Sequence, residues 1–184
     1  MRDNLKEDIL NESSRLFSES GFFGTSMNDI AKSLNITKPA LYYHFKSKKG
    51  LYLEVLNRAF EKLARKFKKA RKLSKLIRNY LEWGTGEKNL IKAQMAKFPD
   101  SDIETRGRVS EFRKKIENEF TKTLKNTLKK EVNFKFLTSF LLGTMDRIIL
   151  DASFLGKEIN VKEKTFQIIK VLNPFIKGRK SNIE

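Results

Sequence analysis

Only three prolines interrupt this chain of 184 residues. Proline ends helices because it lacks the backbone N–H and its ring clashes with the preceding turn. A chain this poor in proline can stay helical over long stretches. Its apolar residues recur at the three- and four-residue spacing of a helix, and no long alternating run marks a strand. The expected fold is all-α.

The helix signals fall in order along the chain. Leu5, Ile9, Leu10, Leu16 and Phe17 share one side of a first helix over residues 3–20, with Gly21 as its stop. Ser26-Met27-Asn28-Asp29 has the form of a capping box, with Asp in the acidic position. The helix it opens turns Ile30, Ala31 and Leu34 inward. Asn35 and Ile36 then turn the chain into a short third helix capped by Thr37. Pro39 lies in its first turn, where the missing N–H costs nothing. Ser47 caps a long helix with Leu51, Val55, Leu56, Phe60 and Leu63 on its apolar face. Further helices are expected over 73–83, 87–98, 102–130, 134–155 and 161–176. GTGEKN and FPDSD read as breaks, Gly156 as a stop and residues 178–184 as a frayed tail. On the last helix Phe166, Ile169, Leu172 and Ile176 are expected inward.

The third helix carries the functional signal. Each residue advances about 100°. Leu41 and Phe45 therefore share the face that packs, Tyr43 points away from them, and Tyr42 and His44 flank it. Such a helix buries one side and shows aromatic, hydrogen-bonding side chains on the other, as a helix lying in a DNA groove must. Helix two, a short turn and helix three make a helix-turn-helix. Cysteine is absent, so a thiolate nucleophile and a thiolate metal site lack their parts; His44 is the only histidine, and no carboxylate–histidine catalytic cluster stands out.

Composition agrees without locating the site. The formal net charge is +17 and the pI about 10.0, which favours polyanionic partners. Residues 1–50, however, hold eight basic against six acidic residues, so most of the excess lies further along. A second basic run extends from Arg58 to Arg78, broken by Glu61 alone. It reads as a solvated helix surface or as an attractor for an anionic effector. No apolar run reaches membrane-span length, and the charged opening MRDNLKEDIL lacks a secretory leader, so a cytoplasmic location is expected.

Gly21-Phe22-Phe23-Gly24-Thr25-Ser26-Met27-Asn28-Asp29-Ile30-Ala31, followed by Asn35 through Lys48, resembles the N-terminal domain of the TetR family of transcriptional regulators. The resemblance covers about the first fifty residues. It implies a helix-turn-helix DNA-binding domain over 1–46, followed by a helical effector-binding and dimerisation domain over 47–184. It also implies a homodimer that binds double-stranded DNA at a palindromic operator and represses until a small ligand releases it. No cofactor is implied.

Carried onto this sequence, the family pattern turns Lys38, Ala40, Tyr42 and Tyr43, on the helix opened by Pro39, toward the major groove or its edge. Thr25, Ser26, Thr37, His44 and Lys48 would grip phosphates. Hydroxyls beside the unpaired N–H groups of helix N-termini suit that role. Lys38 could bond guanine O6 or N7, and Ala40 could touch a thymine methyl or nothing. The ligand is expected among the middle helices, where Trp83, Met95, Phe98, Phe112, Ile116 and Phe120 line a cavity or form core. A hydrophobic or anionic effector fits this composition. Leu137, Phe140, Leu141, Ile148, Phe166, Ile169 and Leu172 could build a four-helix dimer interface or belong to the protomer core. Arg147 and Asp151 are spaced to pair on one helix surface.

Overall fold

The computed structural model describes residues 2–86, 103–129 and 132–176. Among them are eight α-helices: α1 Arg2–Gly24, α2 Met27–Ser33, α3 Lys38–His44, α4 Lys48–Lys68, α5 Leu73–Gly86, α6 Ile103–Thr127, α7 Phe134–Phe154 and α8 Val161–Leu172. A 3-10 turn, Asn173–Phe175, follows α8. The described residues contain no strand, only an isolated antiparallel bridge between Leu128 and Ile176. None of their helices is long and apolar enough to cross a membrane. The expected helix over 87–98 lies outside the described residues, as does the tail over 178–184.

The chain divides into two compact units, one on Met1–Lys62 and one on Leu63–Gly86 with Arg106–Glu184. This division falls inside α4, whereas the boundary placed from sequence, 46/47, falls at its start.

The first unit is the helix-turn-helix. α1 loses helical geometry at Gly21, whose φ of +73° only glycine adopts without strain. The buried side of α1, Ile9, Leu10 and Phe17, meets α4 through Phe17 and Tyr52, whose rings stand edge to face at 5.1 Å. α2 packs on α1 and α3 on α2. Ile30, Ala31, Leu41 and Phe45 are buried there as expected, and Leu34 is half-buried.

In the second unit α5 packs against α7 and α8. The α6 stripe Ile116, Phe120 and Leu124 is buried, as is Leu128 just beyond it. Phe120 stands edge to face with both Phe67 and Tyr80. Tyr80 donates to Asp146 Oδ1 at 2.6 Å, and Arg113 Nη1 reaches Asp146 Oδ2 at 2.8 Å and the Tyr80 hydroxyl at 3.2 Å. Burial, then the neighbouring Asp146 charge, pushes the Tyr80 phenol above its ordinary value, so it stays a neutral donor. Sequence reading missed this cluster because its members lie on three helices. The Arg147–Asp151 pair forms at 2.9 Å, and Gly156, at φ +64°, follows the end of α7.

Two expectations are corrected here. The break at GTGEKN does not begin at Gly84: α5 stays helical through Gly84, Thr85 and Gly86. Gly84 is there for close approach, since a Cβ would stand 2.2 Å from Ile149 Cδ1 and 2.6 Å from its Cγ1. The inward face of α8 is Thr165, Ile168 and Leu172, while Phe166 is exposed and Ile169 half-buried. Thr165 can be buried because its hydroxyl donates to Val161 O at 2.7 Å.

Gly84→Ala should therefore destabilise the fold. Better helix propensity would contribute about 1 kcal/mol. Overpacking a buried contact costs roughly 1–3 kcal/mol, and Ile149, at 1% exposure, has little room to yield. A lower Tm by calorimetry is expected, partly recovered by adding Ile149→Val, which removes the nearest atom.

Candidate nucleic-acid interface

The candidate recognition surface is built on α3. Thr37 caps it, its Oγ1 accepting from Ala40 N at 3.3 Å, and Pro39 occupies the first turn. This locks seven residues into a helix too short to persist alone. Leu41 is fully buried and Phe45 nearly so, anchoring one face. On the other, Tyr43 is 68% and Tyr42 43% exposed. Lys38 and Pro39 are exposed, and Ala40 and His44 are half-buried. The Tyr43 and His44 rings stand edge to face at 5.3 Å, so the two side chains brace each other. A rigid helix with an outward phenol, a flanking phenol and a lysine at its start matches the dimensions of a major groove.

The expected phosphate-gripping side chains divide. The Thr37 bond uses an acceptor lone pair and leaves its O–H to donate. Thr25 does not fit that role: it is 2% exposed, and its hydroxyl is placed to donate to Gly21 O at 2.9 Å and Leu16 O at 3.1 Å. Ser26 gives both its donors to Asp29 Oδ2, the N–H at 2.9 Å and the hydroxyl at 2.6 Å, while its oxygen accepts from Asp29 N. Those bonds hold the Asp29 carboxyl below the usual carboxylate range. Lys48 Nζ donates to Phe22 O at 2.9 Å and Thr25 O at 3.0 Å, and lies 4.3 Å from the centre of the Phe22 ring. The capping box behind Ser26 was visible in the sequence. The inward bonds of Thr25 and Lys48 were not, because they depend on where the end of α1 meets the start of α4.

Elsewhere, Trp83, Ile116 and Phe120 are buried in the second unit and Phe112 is half-buried. Trp83 packs beside Tyr80, with ring centres 5.9 Å apart. Met95 and Phe98 lie outside the described residues. Of the expected interface residues, Leu141 and Leu172 are 3% exposed and belong to the protomer core, because they lie on the faces of α7 and α8 that turn inward. Phe140 and Phe166 are 55% and 65% exposed, and Leu137, Ile148 and Ile169 are half-buried.

A three-helix unit that anchors one helix by its apolar face and presents the opposite face outward defines a helix-turn-helix nucleic-acid reader. Residues 9–55 match the family described as bacterial regulatory proteins, tetR family. The biofilm operon icaADBC HTH-type negative transcriptional regulator IcaR of Staphylococcus aureus (strain Newman) is 48% identical over 59 residues, 32% of this chain and 32% of that relative. The match thus spans about a third of the relative's length. A transcriptional regulator (TerR/AcrR family) from Aquifex aeolicus VF5 superimposes with a TM-score of 0.75 and 28% identity, over 91% of this chain and 98% of that one. The transcriptional regulator FadR from Bacillus subtilis, in complex with stearoyl-CoA, gives a TM-score of 0.71 and 16% identity, over 95% and 99% of the two chains. At that identity the likeness shows the fold alone. Residues 9–55 thus carry the sequence pattern of the tetR family of bacterial regulatory proteins, and the chain shares its fold with the Aquifex aeolicus regulator over nearly the whole of both.

Proposed function

We propose that this protein is a homodimeric repressor that places two copies of α3 in successive major grooves of a palindromic operator and is released by a small-molecule effector. The observation that carries the reading is the polarity of α3: Leu41 fully buried on one face, Tyr43 68% exposed on the other. The division of roles is a DNA-binding domain over 1–46 and an effector and dimer domain over 47–184. Base reading falls to Lys38, Ala40, Tyr42 and Tyr43, and phosphate contact by side chain to Thr37 and His44. The work takes place in the cytoplasm.

Dimerisation is supported by apolar surface that the protomer leaves exposed. Phe136, Phe140 and Phe154 lie on one side of α7, and Phe166 on α8. The Phe136 and Phe140 rings stack with centres 6.3 Å apart. A second copy that buries this surface would complete a four-helix interface of isologous type. The effector is hydrophobic or anionic, on the strength of the apolar residues around Trp83 and Phe120 and of the basic run from Arg58 to Arg78. The stearoyl-CoA held by the Bacillus subtilis relative, both apolar and anionic, has that chemistry. α4 runs unbroken from Lys48 to Lys68, through the point where the two units divide, and is the element by which the effector would alter the separation of the two α3 helices. The coupling is reciprocal, so DNA must weaken effector binding by the factor by which the effector weakens DNA binding.

Selection from a random duplex library tests the reading. An enriched inverted repeat supports it, and steeply salt-dependent binding to every duplex without enrichment removes it.

A further inference from the structure

Lys48 opens α4, beside Lys49, in a first turn without an acidic residue. A cation there opposes the positive end of the helix dipole, so α4 gains nothing from it. Its side chain instead crosses to α1. The ammonium donates to Phe22 O and Thr25 O, which flank the α1–α2 turn, and sits over the face of the Phe22 ring. Phe22 O belongs to the last turn of α1 and Thr25 O to the turn that follows it, where carbonyl groups lack intrahelical partners. Thr25 closes the same turn from inside by donating to Leu16 O and Gly21 O. One residue beyond Thr25 is the Ser26 cap of α2, and α2 carries α3.

We propose that Lys48 is a positioning residue of the DNA site: an internal ammonium clamp that closes the α1–α2 turn and thereby sets the entry of α2 and the pose of α3. Two of its three N–H donors are spent on carbonyls and the ring covers part of the charge. The residue acts on DNA through Phe22 and Thr25. The inference rests on the proposed reading of α3 as the DNA-contacting helix.

The test separates a clamp from a phosphate contact. Lys48→Met keeps the length of the side chain and removes the charge. Operator affinity across a salt series is measured with amide exchange over residues 22–30. For a clamp, affinity falls about tenfold or more. The slope of log Kobs against log salt stays at the wild-type value, and the turn amides exchange faster. For a phosphate contact, the slope drops by about one unit per half-site while turn exchange stays as in the wild type; that result overturns the proposal. So does an unchanged exchange pattern with an unchanged slope. Phe22→Leu gives a second reading should Lys48→Met unfold. It leaves the charge in place, and the clamp predicts faster turn exchange with no change of slope. If the wild type selects no operator, the functional reading fails, while the exchange data still report on the clamp.

Discussion

Tyr43→Ala is expected to cut operator binding severely and leave the fold intact. A lost base-level contact costs about 1–3 kcal/mol, roughly 5- to 150-fold. A dimer uses the residue twice, so the loss for a two-site operator approaches the square of that factor. Stability should move by less than about 0.5 kcal/mol, as for other exposed substitutions away from caps and core, because the ring is 68% exposed and touches His44 at its edge. Binding titrations against the selected operator and calorimetry check the two halves of the statement. Tyr43→Phe divides the effect: retained binding assigns the contact to the ring, and lost binding assigns it to the hydroxyl. An alanine variant that binds as well as the wild type would remove α3 as the reader.

The double variant Phe140→Asp/Phe166→Asp is expected to split the proposed dimer. Both side chains are more than half exposed in the protomer, so the folded monomer can carry a charge at either position. In a dimer those carboxylates would be buried without partners, a cost of several kcal/mol. Dissociation should strengthen by at least about a hundredfold, since interface anchors of this size each contribute 2 kcal/mol or more. Sedimentation should show a folded monomer. Operator binding should fall with it, because each half-site is then held alone and the gain from linking two contacts disappears. A variant that sediments as the wild-type dimer would place the interface elsewhere.

Much of the fold could be read because helix starts are local chemistry. Ser26, Thr37 and Ser47 each announce a helix within three residues, and in the structure each does so through its side-chain oxygen. The two faces of α3 follow from the helix repeat alone. The errors arise where a helix has more than one apolar face. On α8 the periodicity admits Phe166 and Ile169 as readily as Thr165 and Ile168. The large aromatic suggests the core, yet the smaller pair is inside, and only the packing of α5 against α8 decides it. Gly84 misled in the other direction. Glycine reads as a break, but here it is what lets α5 approach Ile149.

The proposed DNA site divides along the same line. Exposure of Tyr42 and Tyr43 is a property of one helix and was legible. Whether Thr25, Ser26 and Lys48 turn outward or inward depends on the meeting of α1, α2 and α4. Hydroxyls and an ammonium near helix ends suit phosphate and carbonyl alike. At Thr25 the nearer partners are the carbonyls of α1, at Ser26 the carboxylate of Asp29, and at Lys48 the carbonyls of the turn.

In the proposed mode of binding, two α3 helices read one face of a duplex together. The most direct measurement takes the sequence enriched from a random library and measures binding as the spacing between its halves is varied. An inverted repeat is expected, with half-site centres about one helical turn, roughly 34–36 Å, apart. Inserting about five base pairs, half a turn, should then abolish tight binding, and inserting a full turn should recover at most part of it. Binding that ignores the spacing, or an enriched site without two-fold symmetry, would rule out paired reading by two α3 helices.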